Sequence, residues 1–141
     1  MVSRSLEKMI LIAIGLSTVV IIGVPVLMYA IDTINTTTQL QEAVIVAEKI
    51  HNATRDLDTG LLNTTSITFW TNQGISVTAS GKTLTVIFDN GVESSNIWSA
   101  SYNHDIIIDE PLLSHTRRVL YSAEFCLVDD VIHITFLEVP I

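Results

Sequence analysis

The sequence predicts an α+β protein, a long N-terminal hydrophobic α-helix followed by an antiparallel all-β, sandwich-like globular head. Three observations carry that prediction. Met9 to Ile31 is a run of 23 residues without a charged side chain. Leu40 to Leu57 then places apolar residues at the 3,4 spacing of a packed helical seam. From Leu61 the period changes to alternation, with Gly, Asn, Asp and Ser as punctuation. The chain divides accordingly into a leader (1–8), an apolar helix (9–31), its continuation (32–60) and a β-rich head (61–141).

The leader, MVSRSLEK, offers Ser3 or Ser5 as a cap for a helix beginning near Leu6. Arg4 and Lys8 precede the apolar run and Asp32 follows it, so the positive-inside rule puts residues 1–8 in the cytoplasm and the rest outside. At about 1.5 Å per residue the run reaches roughly 35 Å, enough for the hydrocarbon core of a bilayer. It is too long for the apolar core of a cleaved signal peptide, which holds about 7 to 15 residues. Two readings remain: a plain membrane anchor, or a helix stored in the membrane and later packed among copies of itself. Glu7 either rests at the interface near the positive end of the helix dipole or meets a basic group of a neighbouring copy. Pro25 removes a backbone donor within the run, which predicts a kink or local unwinding near Ile21 to Pro25, and Gly23 softens the same turn. Gly15, Ser17 and Thr18 would let neighbouring helices approach closely.

Residues 32–39, DTINTTTQ, are poor helix formers but contain no Gly or Pro, so the helix is expected to continue to a stop at Gly60. Leu40, Ala43, Ala47, Ile50, Thr54 and Leu57 form the heptad seam. The run Ala43 to Ala47 widens the apolar surface beyond one stripe, implying cover from the head on one side and from partner copies on the other.

The head reads as strands over Ser66–Thr71, Ile75–Ala79, Thr83–Phe88, Ile97–Tyr102, Asp105–Ile108, Arg118–Leu127 and Val131–Glu138. Asn72-Gln73-Gly74 and Ser80-Gly81-Lys82 separate the first three into a meander, Asp89-Asn90-Gly91 closes it, and Asp129-Asp130 joins the last two. About seven short strands fit a small sandwich or roll on one face of the helix. Trp70, Trp98, Tyr102 and Phe136 are expected in the core.

The chain has 141 residues and a net charge of −8. From Asp32 onward there are 14 Asp and Glu against five Lys and Arg, a balance of −9. That sign argues against nucleic acid as a partner. Cys126 is the sole cysteine, which excludes an intramolecular disulfide, and its apolar neighbours Phe125, Leu127 and Val128 point to a buried small hydrophobe. His51, His104, His115 and His133 show no zinc-type spacing, although Asp129, Asp130 and His133 could meet at a hairpin, as could His104 and Asp105. Asp105, Asp109 and Glu110 lack a twelve-residue calcium loop. Ser66, Ser80 and Ser114 lie in no nucleophile elbow, and there is no phosphate-binding glycine loop and no HExxH. No catalytic residue, metal or cofactor is expected, and the chain does not read as an enzyme. Asn35-Thr36-Thr37, Asn52-Ala53-Thr54 and Asn63-Thr64-Thr65 are Asn-x-Thr acceptors on the outward side, so Asn35, Asn52 and Asn63 are candidate glycosylation sites.

A short basic leader, Glu7 near the start of an apolar helix, Pro25 eighteen positions later, a heptad-bearing continuation and a β-rich head together resemble the type IV pilin superfamily. The outward Asn-x-Thr sites and the missing disulfide bring the archaeal pilins and archaellins nearest. The resemblance implies a self-polymerising filament subunit held in the membrane before assembly, with the head facing outward for adhesion or motility. Its partners would be copies of itself, an assembly platform and a prepilin peptidase. The filament-core contacts would fall on Leu11, Ile14, Leu16, Val19, Ile22, Pro25, Leu27, Leu40, Ala43, Val44, Ala47 and Ile50, with Glu7 as the inter-subunit charge. No Gly or Ala precedes Glu7, where the superfamily places its processing point. That departure favours the alternative, a single-pass extracellular accessory protein of the archaeal filament motor that does not polymerise.

Overall fold

The structure, a computed structural model, describes residues 2–91, 95–113 and 115–141. Met1 of the leader and Ser114 lie outside them. The chain forms two compact units, 1–38 and 39–141.

In the first unit, α1 (Val2–Thr18) leads into one π-helical turn (Val19–Gly23), after which α2 (Val24–Asp58) begins. The expected unwinding is therefore a widened turn placed just before Pro25. Proline has no N–H for the carbonyl four residues earlier, and its ring crowds that carbonyl. A π-turn supplies the room while keeping the chain helical. The polar stretch after Ile31 stays helical, and its hydroxyls bond back onto the helix. Thr33, Thr36, Thr37 and Thr38 each donate to the carbonyl four residues earlier at 2.8–2.9 Å. Ser17 and Thr18 do the same inside the apolar run, to Ala13 and Ile14 at 2.8 Å. A hydroxyl satisfied in this way no longer draws the backbone toward a turn.

The second unit holds the rest of α2 and seven strands: β1 (Thr64–Thr71), β2 (Ile75–Ser80), β3 (Thr83–Phe88), β4 (Asn96–Ser101), β5 (Asp105–Glu110), β6 (Val119–Val128) and β7 (Val131–Glu138). They form a four-stranded sheet, β1-β6-β7-β5, and a three-stranded sheet, β2-β3-β4. All pairs are antiparallel except β5 with β7, which is parallel. The meander expected from β1 to β3 is corrected. β1 pairs along its whole length with β6, Thr64 opposite Cys126 and Thr71 opposite Val119, so only β2, β3 and β4 form a meander. Gly74 starts the second sheet after the Asn72-Gln73-Gly74 corner. Its φ of +91° and its closeness to the Asp89 carbonyl leave no space for a Cβ. Asp129 and Asp130 take φ of +51° and +62°, the left-handed pair that a two-residue hairpin turn requires.

A single core joins both sheets to the helix. Ala43, Val46, Ala47, Ile50, Ala53 and Leu57 of α2 are buried with Phe69, Leu84, Val86, Phe88, Tyr121, Phe125, Ile132, Ile134 and Phe136. Thr54 is buried too, and its hydroxyl bonds the Ile50 carbonyl at 2.8 Å. The head thus begins at about Gln39 and includes the helix end, so the boundary falls well before the expected residue 61. The reason is the seam itself: one strip of small and branched side chains on α2 closes a core that the sheets would otherwise leave open.

Candidate functional site

The first candidate surface is the apolar helix. Every side chain from Ser3 to Asn35 is exposed. Leu11, Ile14, Leu16, Val19, Ile22 and Leu27 are therefore all open to a partner or to lipid, and Pro25 lies on the same exposed helix. Such an apolar surface on all faces is out of place in water, since each large side chain left exposed forgoes about 1.5 to 3 kcal/mol of burial. The helix is long and apolar enough to cross a membrane. Glu7 is exposed beside this surface.

The part of the predicted packing surface on α2 is different. Ala43, Ala47 and Ile50 are buried in the core of their own head, at 0 %, 3 % and 0 % exposure, and have no side-chain surface left for a neighbouring copy. Leu40 packs against the same core. This corrects their assignment as inter-subunit contacts: the heptad spacing marks a packed seam, and the chain's own sheets fill it. Val44 is half-buried and lines a groove of about 300 Å³ with His51, Asn52, Arg55 and Trp98. Ile45, at 52 % exposure, is the large apolar side chain of Ala43 to Ala47 that remains free.

The candidate glycosylation residues Asn35, Asn52 and Asn63 are all exposed. Asn35 belongs to the first unit and the other two to the head. Asn63 is held in the connection to β1, where its carbonyl accepts the Leu127 N–H at 2.9 Å.

The histidines find partners that spacing did not indicate. His104 pairs with Asp58 instead of Asp105: its Nδ1–H donates at 2.8 Å and its backbone N–H at 3.0 Å. Burial of the Asp58 carboxyl opposes its ionisation, but these bonds and the Asn103 N–H outweigh that and hold its pKa below the ordinary value of 3.8. His133 pairs with Asp109 at 3.0 Å, across the parallel strands, and leaves Asp129 and Asp130 aside. His51 Nε2–H donates to the Trp98 carbonyl at 3.2 Å while the Tyr102 hydroxyl donates to Nδ1 at 2.6 Å. Desolvation, reinforced by Asp58 and opposed by Arg55, pushes the Tyr102 hydroxyl up to about 12. His115 Nε2 shares a hydrogen bond with the Tyr121 hydroxyl at 2.7 Å. Among the described residues no group of three or more His, Cys, Asp or Glu is placed to hold a metal ion.

Three further expectations change. Cys126 is half-buried, because Val119, Tyr121, Ala123 and Phe125 take the inward positions of β6 and alternation turns Cys126 to the outer face. Trp70 is 40 % exposed, with the Arg118 guanidinium 5.2 Å above its ring, in place of a core position. Trp98 and Tyr102 lie at the core margin, and Phe136 is buried as expected. Sequence reasoning missed the cluster around Glu42. Its carboxylate accepts from Asn72 and pairs with Arg118 at 3.3 Å, joining α2 to the end of β1 and the start of β6.

Compared with protein-family models, curated proteins and solved structures, the chain matches none.

Proposed function

We propose that the protein is a structural subunit of an extracellular type IV filament that polymerises through packing of its N-terminal helix, with the β head as the outer surface for adhesion or motility. The observation that carries this reading is the run Met9 to Ile31, apolar and exposed on every face of its helix, which is surface enough for several neighbouring helices at once. In a polymer, Leu11, Ile14, Leu16, Val19, Ile22 and Leu27 would be covered by the same residues of neighbouring copies. Before assembly they would lie in the membrane. Exchange of lipid for protein around the helix carries no hydrophobic gain, so assembly would draw on van der Waals packing and on an energy-supplying assembly platform. A prepilin peptidase would act near Glu7, and sugars on exposed Asn35, Asn52 or Asn63 would coat the outer surface. The role is mechanical, not catalytic.

The second reading is the anchored accessory protein that never polymerises. The burial of Ala43, Ala47 and Ile50 in their own head favours it, since Ile45 is the one large apolar side chain of α2 beyond residue 39 that stays exposed. Cryo-microscopy of filaments sheared from cells tests the first reading. A core of bundled helices that accommodates Met9 to Ile31 is expected, and filaments lacking this chain would leave the anchor. Mass spectrometry of the mature N-terminus and of peptides bearing the three Asn residues tests processing and glycosylation.

A further inference from the structure

The three Asn-x-Thr motifs are equivalent in sequence, and the fold makes them unequal. The motif is defined by its Thr as well as its Asn, so a transferring enzyme must engage both side chains at once. On an α-helix two residues two positions apart point about 200° away from each other and cannot enter one site together. On an extended segment they share a face. Asn52-Ala53-Thr54 lies within α2. Asn52 is exposed, but Thr54 is fully buried in the head core and its hydroxyl is spent on the Ile50 carbonyl at 2.8 Å. Asn35-Thr36-Thr37 is helical as well, with the Thr37 hydroxyl bonded to the Thr33 carbonyl at 2.8 Å. Asn35 also stands only about 6 Å along the axis beyond Ile31, the end of the apolar run. In a bilayer that height falls inside the polar headgroup layer, about 5 to 7 Å deep on each side.

Asn63-Thr64-Thr65 differs on each count. It follows the end of α2 and opens β1. The Asn63 carbonyl accepts the Leu127 N–H at 2.9 Å, which extends the pairing of Thr64 with Cys126 by one residue and marks Asn63 to Thr65 as one extended segment. Asn63 is exposed and Thr65 half-buried, and among the described residues the Thr65 hydroxyl has no hydrogen-bond partner. We infer that Asn63 is the one glycosylated residue of the folded chain, its donor a sugar carried on a membrane lipid through a diphosphate. The Asn63 amide nitrogen attacks C1 of the sugar and the N–C bond forms. The bond from C1 to the phosphate oxygen breaks, its electron pair leaves on the lipid diphosphate, and one amide proton passes to a base of the transferring enzyme. The inference rests on the outward placement of the head in the reading above, and not on polymerisation. Because Asn63 pairs with Leu127, the sugar stands beside the end of β6, and any packing of heads must leave that end uncovered.

Mass spectrometry of the full chain isolated from its own cells tests the assignment. Cleavage after Lys and Arg places the three sites on separate peptides, 9–49, 50–55 and 56–82. Sugar is expected on 56–82 alone. Asn63→Gln and Thr65→Ala are expected to lose it, Thr65→Ser to keep it, and Asn52→Gln to leave it unchanged. Retention in Thr65→Ser separates loss of the acceptor hydroxyl from a folding defect. Sugar on 9–49 or 50–55, or none on 56–82, would overturn the assignment. Filaments whose 56–82 peptide is bare would remove this site and leave the filament reading. Sugar at Asn63 on a chain that forms no filament would do the reverse.

Discussion

His104 Nδ1 lies 2.8 Å from Asp58 Oδ1, joining the last residue of α2 to the connection between β4 and β5. The same carboxylate accepts the backbone N–H groups of Asn103 at 2.8 Å and His104 at 3.0 Å, so one side chain caps the whole turn. Because the folded-state pKa of Asp58 is lowered, its contribution is complete above the unfolded value of 3.8 and is lost as pH falls through the folded value. Asp58→Asn is expected to flatten the acid limb of stability, and Asp58→Ala to cost about 2 to 3 kcal/mol at neutral pH. Urea titrations at pH 6 and pH 3 check both.

Tyr102 predicts the opposite limb. Its pKa is raised from 10.0 to about 12, so its contribution is complete below 10 and declines as pH rises toward 12. Tyr102→Phe is expected to lose about 1 kcal/mol near neutrality through the missing bond to His51, and to be less sensitive to alkali than the parent. Unfolding free energies at pH 8 and pH 11 give the comparison.

The smallest folded head follows from the core. A fragment of residues 39–141 is expected to unfold cooperatively, whereas 63–141 is expected to remain unfolded because it lacks Ala43, Val46, Ala47, Ile50, Ala53 and Leu57. Loss of one large buried aliphatic side chain alone costs about 2 to 5 kcal/mol, and this truncation removes several. Circular dichroism melts of the two fragments decide it; a cooperative melt of 63–141 would contradict the shared core.

Val19→Asp places a carboxylate in the π-turn of the apolar run, exposed on the helix. The expected outcome is loss of filaments, with the head core untouched because the substitution lies outside residues 39–141. Ile45→Asp tests whether α2 within the head also meets a neighbour. Electron microscopy of sheared material scores both variants.

Strand positions were legible where one face of the strand is buried, as in β3, β6 and β7, because a half-buried strand must alternate. β3 runs Thr83–Phe88 and β7 runs Val131–Glu138, as alternation indicates. Pairing was not legible in the same way. β1 joins β6 across more than forty residues, and only three-dimensional packing brings Phe69 opposite Tyr121. The heptad on α2 showed that a seam is packed without showing by what, which is why Ala43, Ala47 and Ile50 were assigned to neighbours instead of to their own sheets. Cys126 shows the same limit at smaller scale: its apolar neighbours in sequence suggested burial, and the parity of β6 sends it outward. The partners of Asp58 and Glu42 carry no local signal, because each is completed by residues at least thirty positions away.

Ser17 and Thr18 bond their hydroxyls to the carbonyls of Ala13 and Ile14. Those two hydroxyls ask no hydrogen bond of their surroundings, and transfer from lipid tails to a bundle of like helices would leave both bonds in place; Tyr29, 75 % exposed, is the other side-chain hydroxyl of the run. Shape then discriminates as well, because the widened turn at Val19–Gly23 departs from the outline of a regular α-helix.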